Sequence, residues 1–473
     1  MFHTLALLAL LAPTESPRPL ALHPDNPHYF LFRGKPTILV TSGEHYGAVL
    51  NADFDYVQYL DTLQASGLNL TRTFTGGTYV EPPGAFKIKD NTLAPANGRY
   101  LPPWARSDQP GYAGGGNKFD LARWNDDYFR RLKDFVTQAG ERGVIVEVNL
   151  FCPFYEEAQW RLSPLQPSNN VNGMGSNVAR TDVYTLDKSG SLLNLQEKLV
   201  RKVVAELREF DNIYYEICNE PYFGGVTLAW QHHIADVLVD AEKALPNHHL
   251  ISQNVANGSI KVEKPHPAVS IFNFHYAAPP DTVQLNYGLN KVIGDNETGF
   301  VGVTDAPYRM EGWDFLIAGG GLFNNLDYSF TVGKEDGSAV PADPTPGGGS
   351  PSLRKQLRFL KDFLEDLDFV KMKPDNSIFL GEPPAGMTMR ALLQPGEAYV
   401  IYLRPKPKTK LATRPSEIAV RINLPAGKFR ADWFNPEACT QLSKEIFDHR
   451  GGERRLVAPA GGEDYVLRIR STK

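Results

Sequence analysis

Between Pro36 and Leu367 the chain repeats one pattern: a short strand-like run followed by a helical or helix-length stretch, eight times over. The strand-like runs are Thr37–Thr41, Leu68–Phe74, Val144–Phe151, Asn212–Ile217, His249–Gln253, Val269–Phe274, Val292–Asp295 and Leu322–Tyr328. Phe54–Ala65 carries Phe54, Val57, Leu60 and Leu63 at helical spacing, and Gly67 supplies a stop. In Trp124–Gly143, the residues Tyr128, Phe129, Leu132, Phe135, Val136 and Ala139 form one apolar face. Leu193–Phe210, Trp230–Leu245, Arg309–Ala318 and Leu353–Leu367 continue the series. Strands separated by helices pair in parallel, and eight of them fit a closed (β/α)8 TIM barrel better than an open sheet. Insertions follow the second and third strands, up to Lys118 and about Ser189. In a barrel they would lie at the C-terminal face and wall a cleft.

From about Asp375 the rhythm changes to short alternating runs: Met387–Leu393, Ala398–Leu403, Ile418–Ile422, Phe429–Trp433 and Tyr465–Ile469. Pro395-Gly396, Pro425-Ala426-Gly427 and Gly451-Gly452 separate them. That spacing predicts a small all-β sandwich over residues 375–473, behind a barrel over residues 30–370. A chain of 473 residues suits that division. A net charge of −5 and the lack of a basic run argue against nucleic acid as a partner.

Leu5–Ala12 has the length of a signal h-region and is too short to span a bilayer, so residues 1–20 read as a candidate export segment for a secreted or periplasmic protein. Met1-Phe2-His3-Thr4 lacks Lys and Arg, and an apolar tail on a cytoplasmic protein is the alternative. Cys152, Cys218 and Cys439 have no metal-ligand spacing, and an odd count makes no disulfide framework.

The fourth strand stops at Cys218-Asn219-Glu220-Pro221, because Pro221 has no N–H for a ladder. Glu220 is thereby held at a strand tip, where barrel chemistry resides. Glu297, in Gly294-Asp295-Asn296-Glu297-Thr298-Gly299, follows the seventh strand, which faces the fourth across a barrel mouth. Two carboxyls ~5–5.5 Å apart cleave a glycosidic bond with retention, and a wider pair inverts. The expected function is a retaining β-glycoside hydrolase with no cofactor and no metal, acting on an oligosaccharide or polysaccharide. A catalytically silent glycan-binding barrel and an inverting hydrolase are the alternatives, discriminated by the carboxyl separation.

Asn219-Glu220-Pro221 after strand four, with Glu297 after strand seven and the segment Phe119–Gly143, resembles clan A of the glycoside hydrolases, especially family 5 and cellulase-like enzymes. The resemblance spans about residues 30–370. The C-terminal part is similar to the small, collagen-binding-like β domain that trails many such barrels. The resemblance implies that Glu220 is the general acid and base, with a raised pKa, and Glu297 the nucleophile. It implies that Asn219 meets the sugar 2-hydroxyl and that Arg72 orients Glu297. A surface salt bridge is the other reading of Arg72. Of the adjacent His275 and Tyr276, one is expected at the nucleophile.

Three strand tips depart from the family pattern. Asn149 stands where a His is common. Asn325, on a strand eight without the usual tryptophan, and Asn149 would line a subsite with Trp313 or Trp104 as replacement platform, unless those tryptophans are core. Glu44-His45, at the tip of strand one, either binds substrate or packs structurally.

Overall fold

The computed structural model describes residues 18–406 and 417–472, and in it eight parallel strands form one barrel sheet. They are β1 (Leu39–Gly43), β2 (Leu70–Phe74), β3 (Ile145–Asn149), β4 (Ile213–Glu216), β5 (Ile251–Asn257), β6 (Val269–His275), β7 (Val292–Thr298) and β8 (Leu322–Leu326). From β2 to β8 each strand pairs with the next in sequence, and β8 pairs with β1. The remaining seam, between β1 and β2, is clamped by one side chain. Asn69 Oδ1 accepts from Val40 N at 2.9 Å, and Asn69 Nδ2 donates to Ile38 O at 2.9 Å.

Outside the sheet run α1 (Tyr56–Ala65), α2 (Asp126–Glu141), α3 (Leu192–Leu207), α4 (Leu228–Glu242), α5 (Asp281–Asn286), α6 (Asp305–Ile317) and α7 (Pro351–Glu365). Their limits follow capping chemistry. Asp55 accepts from Val57 N and Gln58 N at the start of α1, and Gly67, at φ +69°, follows its end. The fold is therefore the TIM barrel expected. The insertion after β2 contains an antiparallel hairpin, Trp104–Pro110 with Asn117–Trp124.

Alternation along the strands sorts the barrel interior into layers. At its N-terminal end Leu39, Leu70, Ile145, Tyr214, Ile271, Val292 and Leu322 pack together, plugged by Leu20, Phe30 and Phe32. Two residues further along five of these strands the interior turns polar, with buried Arg72, Glu147, Glu216, Asn273 and Asn324. An apolar floor thus carries a charged layer directly beneath the mouth.

The C-terminal part is a six-stranded antiparallel sheet with its own apolar core, in keeping with the all-β expectation. The runs expected at Ile418–Ile422 and Phe429–Trp433 are halves of one strand, Ala419–Asn435. Its inward residues shift from Val420, Ile422 and Leu424 to Phe429, Ala431 and Trp433 across Pro425. Its partner Thr440–Val457 carries mostly polar and charged residues and shows no apolar alternation to read.

This sheet packs on α6. Asp314 accepts from Arg390 Nε at 2.7 Å and Arg404 Nη2 at 2.6 Å, and Arg309 Nη2 meets Asp464 Oδ1 at 3.0 Å. Trp313 is fully buried there, stacked on Tyr402 at 5.7 Å. The assignment of Trp313 as a sugar platform is therefore corrected: it points away from the barrel mouth, into the core shared with the C-terminal sheet. Among the described residues no helix is long and apolar enough to cross a membrane. The candidate export run Leu5–Ala12 lies outside the described residues.

Candidate active site

The C-terminal ends of the strands open into a cavity of about 760 Å³. Its lining draws on the residues after β1 (His45, Tyr46), β2 (Tyr79, Glu81, Phe86), β3 (Tyr155), β4 (Asn219, Glu220, Phe223), β6 (Tyr276) and β7 (Gly299, Phe300, Val301), with Asn257 and Glu297 from the ends of β5 and β7. Glu220 and Glu297 face each other inside it. One oxygen of each, together with a ring nitrogen of His275, lie within 4.8 Å of one another. His275 Nδ1 is 3.3 Å from Glu220 Oε1 and 3.5 Å from Glu297 Oε1. These three groups are also close enough to ligate an ion.

Glu297 is held at both oxygens. Oε1 accepts from the Tyr276 hydroxyl at 2.5 Å, and Oε2 accepts from the Tyr46 hydroxyl at 3.0 Å and Arg72 Nη1 at 3.3 Å. Glu220 accepts from the Tyr155 hydroxyl at 2.5 Å and the Tyr222 hydroxyl at 3.2 Å. Burial pushes the phenols of Tyr46, Tyr155 and Tyr276 well above their usual range, so they stay protonated donors.

Burial also pushes the Glu220 carboxyl upward, but the hydrogen bond and charge of His275 and the hydroxyls of Tyr155 and Tyr222 together outweigh it. The net position lies below the usual carboxylate range. The raised pKa expected for Glu220 is thus corrected for the free site.

The resemblance implies one of His275 and Tyr276 at the carboxylates, and alternation along a strand would likewise send adjacent side chains to opposite faces. Both are there. β6 ends at His275, and Tyr276 adopts φ +52°, a left-handed turn that breaks the alternation. The same device acts after two other strands: Tyr46 has φ +62° and Glu220 φ +35°. His45 with Tyr46, and Asn219 with Glu220, consequently all line the cavity. Such conformations are costly for non-glycine residues and collect at functional sites.

Beneath the pair, Arg72 is fully buried and spans three carboxylates. Nε donates to Glu147 Oε1 at 2.7 Å, Nη2 donates to Glu216 and to Asn219 Oδ1 (the latter at 2.8 Å), and Nη1 reaches Glu297. Asn296 Nδ2 donates to both Glu147 and Glu216 at 2.8 Å. Burial first, then the Glu216 charge, push the Glu147 carboxyl up to about 8. Arg72 is therefore no surface salt bridge; it links the charged layer to Glu297.

The other expected residues divide. Asn219 and His45 line the cavity: Asn219 Nδ2 donates to the Tyr155 hydroxyl at 2.9 Å, and His45 Nδ1 lies 3.0 Å from Asn91 Oδ1. Glu44 is structural. It is buried and accepts from Gly47 N and Ala48 N at 3.0 Å and from the Thr92 hydroxyl at 2.6 Å. Asn149 is buried at the end of β3, off the cavity lining, its amide without a protein partner.

Asn325 is corrected as a substrate ligand. By alternation it faces opposite to the interior Asn324, and its amide donates to Ser42 Oγ at 3.0 Å. Trp104 is also core, stacked on Trp124 at 6.3 Å. Sequence reasoning missed Tyr46, Tyr155, Tyr222 and Glu81. Tyr155 and Glu81 sit in the long insertions, where no periodicity flags a residue. Glu81 takes the Tyr79 hydroxyl at 2.8 Å and the Asn91 amide.

No protein-family model matches the chain, and no curated protein matches it. Solved structures share its fold. A family 5 glycoside hydrolase from Bacteroides vulgatus superposes with a TM-score of 0.64 at 12% identity, covering 96% of this chain and 94% of its own. A second glycoside hydrolase gives 0.62 at 13% identity, covering 98% and 99%. A family 5 mannosidase variant from Rhizomucor miehei gives 0.50 at 12%, covering 74% and 99%.

Proposed function

We propose that this protein is a retaining glycoside hydrolase of β-linked sugars, with Glu297 as nucleophile and Glu220 as acid and base. The observation that carries the reading is the approach of the two carboxylates to within 4.8 Å across one cavity. That separation suits direct attack by a carboxylate. An inverting pair needs ~6.5–9.5 Å to admit a water. The glycoside hydrolases that share the fold over nearly the whole chain are consistent with it.

In the first step Glu297 attacks the anomeric carbon, the bond to the glycosidic oxygen breaks, and that oxygen takes a proton from Glu220. In the second, Glu220 removes a proton from water, the water oxygen attacks the anomeric carbon, and the Glu297 ester is released. His275 Nδ1 lies 3.3 Å from Glu220 Oε1, close enough to exchange a proton with the acid during the cycle. Tyr46, Tyr276 and Arg72 keep Glu297 aimed at the anomeric carbon. Asn219, locked by Arg72 and Tyr155, is placed to meet the sugar 2-hydroxyl.

The test is Glu297→Ala in the presence of azide. Loss of turnover, with formation of a glycosyl azide on azide addition, is expected. Full activity in that variant refutes the assignment.

A further inference from the structure

Part of the rim of the cavity is apolar and open to solvent. Phe86, Phe223, Phe300 and Val301 all line it, and they are 40%, 43%, 43% and 50% exposed. They come from three separate loops, after β2, β4 and β7. Phe86 and Phe300 stand at φ +54° and +59°, conformations unfavourable for bulky side chains. Strain that keeps a phenylalanine in water points to a use for that ring.

Two of these rings lie on the Glu220 side. Phe86 and Phe223 pack against Tyr155 at 5.3 and 5.6 Å, and Tyr155 donates to Glu220. Phe223 N also bonds to Glu220 O at 3.0 Å, which ties that ring to the acid. The group that protonates the leaving oxygen sits beside the leaving group, so this wall meets the aglycone. Three of its polar side chains have partners within the protein. Arg180 binds Glu157 and Phe154 O, Asn257 accepts from Tyr222, and Glu156 closes a capping box on the helix that follows it.

We propose that the leaving-group subsite takes an apolar aglycone, an alkyl chain or aromatic ring, in preference to a second sugar. This rests on the hydrolase reading above. The sugar occupies the polar floor between Glu220 and Glu297. The aglycone leaves as an alcohol or phenol after its oxygen takes the Glu220 proton, and its apolar body lies between Phe86 and Phe223.

The test compares octyl and methyl β-glycosides of glucose, mannose and galactose with the matching β-linked disaccharides, using the full-length protein. Octyl and methyl leaving groups share their oxygen chemistry and differ in apolar area alone. For the sugar accepted, kcat/KM for the octyl glycoside should exceed that for the methyl by at least about tenfold. Phe223→Ala and Phe86→Ala should each cut that ratio at least about threefold, with Phe223→Leu retaining part of it. Circular dichroism checks that the variants fold. Equal octyl and methyl values, a ratio unmoved by both alanine variants, or a preference for the disaccharide would overturn the aglycone proposal while leaving a hydrolase. No turnover of any glycoside would overturn the hydrolase reading and this proposal with it.

Discussion

The Tyr46 hydroxyl donates to Glu297 Oε2 across 3.0 Å, joining the residues after β1 to the end of β7. The Arg72 guanidinium lies over the Tyr46 ring, 4.5 Å from its centroid, so the phenol and the cation grip the same oxygen from one stack. Tyr46→Phe keeps the ring and removes one donor. It is expected to lower kcat/KM by about 10- to 100-fold on any glycoside turned over. An unchanged kcat/KM would show that Tyr276 and Arg72 suffice.

Buried acids should make this protein less stable as the pH rises. Glu147 is pushed up from 4.5 to about 8, chiefly by burial. Glu44, also through burial, is pushed up to about 7. The native state then holds protons that the unfolded chain has lost, so unfolding free energy falls from about pH 4.5 through pH 8. Glu147→Gln keeps an acceptor for Arg72 and cannot ionise. Urea midpoints measured from pH 5 to 9 should decline less steeply in that variant; identical slopes would remove Glu147 as a source.

Asp314 is a buried acid between barrel and C-terminal sheet, paired with Arg390 and Arg404. Asp314→Ala would leave Arg404 buried without its carboxylate and strip Arg390 of its closest one. Losing one partner of a buried pair costs about 3–5 kcal/mol, and chemical denaturation should register it. Truncation near residue 375 should be worse, because Trp313 loses its Tyr402 stack and is exposed.

The barrel seam offers a sharper stability test. Asn69→Ala removes both side-chain hydrogen bonds across the β1–β2 seam, leaving Val40 N and Ile38 O without them and only the backbone bond from Asn69 N to Val40 O at 3.3 Å. A loss of about 2 kcal/mol is expected. No loss would mean that the seam closes through backbone and packing alone.

The strands and helices of the barrel were readable because their signals are local. The apolar face of α2 and the proline after Glu220 act within a few residues. The edge strand Thr440–Val457 was not readable, since an edge carries charge for solubility and hides its period. Asn325 and Trp313 were misplaced for a related reason: residue type suggests polarity or stacking, but the face a side chain takes depends on its neighbours in space.

The positions of Glu220 and Glu297 at the ends of strands four and seven follow from sequence order, because a parallel barrel puts those two ends opposite each other. What surrounds them does not. The left-handed turns at Tyr46, Glu220 and Tyr276 follow no local pattern, and the Arg72 layer and most of the downward shift of Glu220 rest on residues far apart in the chain, as Arg72 with Glu297 and His275 with Glu220. Strand alternation is a short-range rule. Its exceptions at the mouth persist because three-dimensional packing offsets their backbone strain, and no local pattern in the chain records that balance.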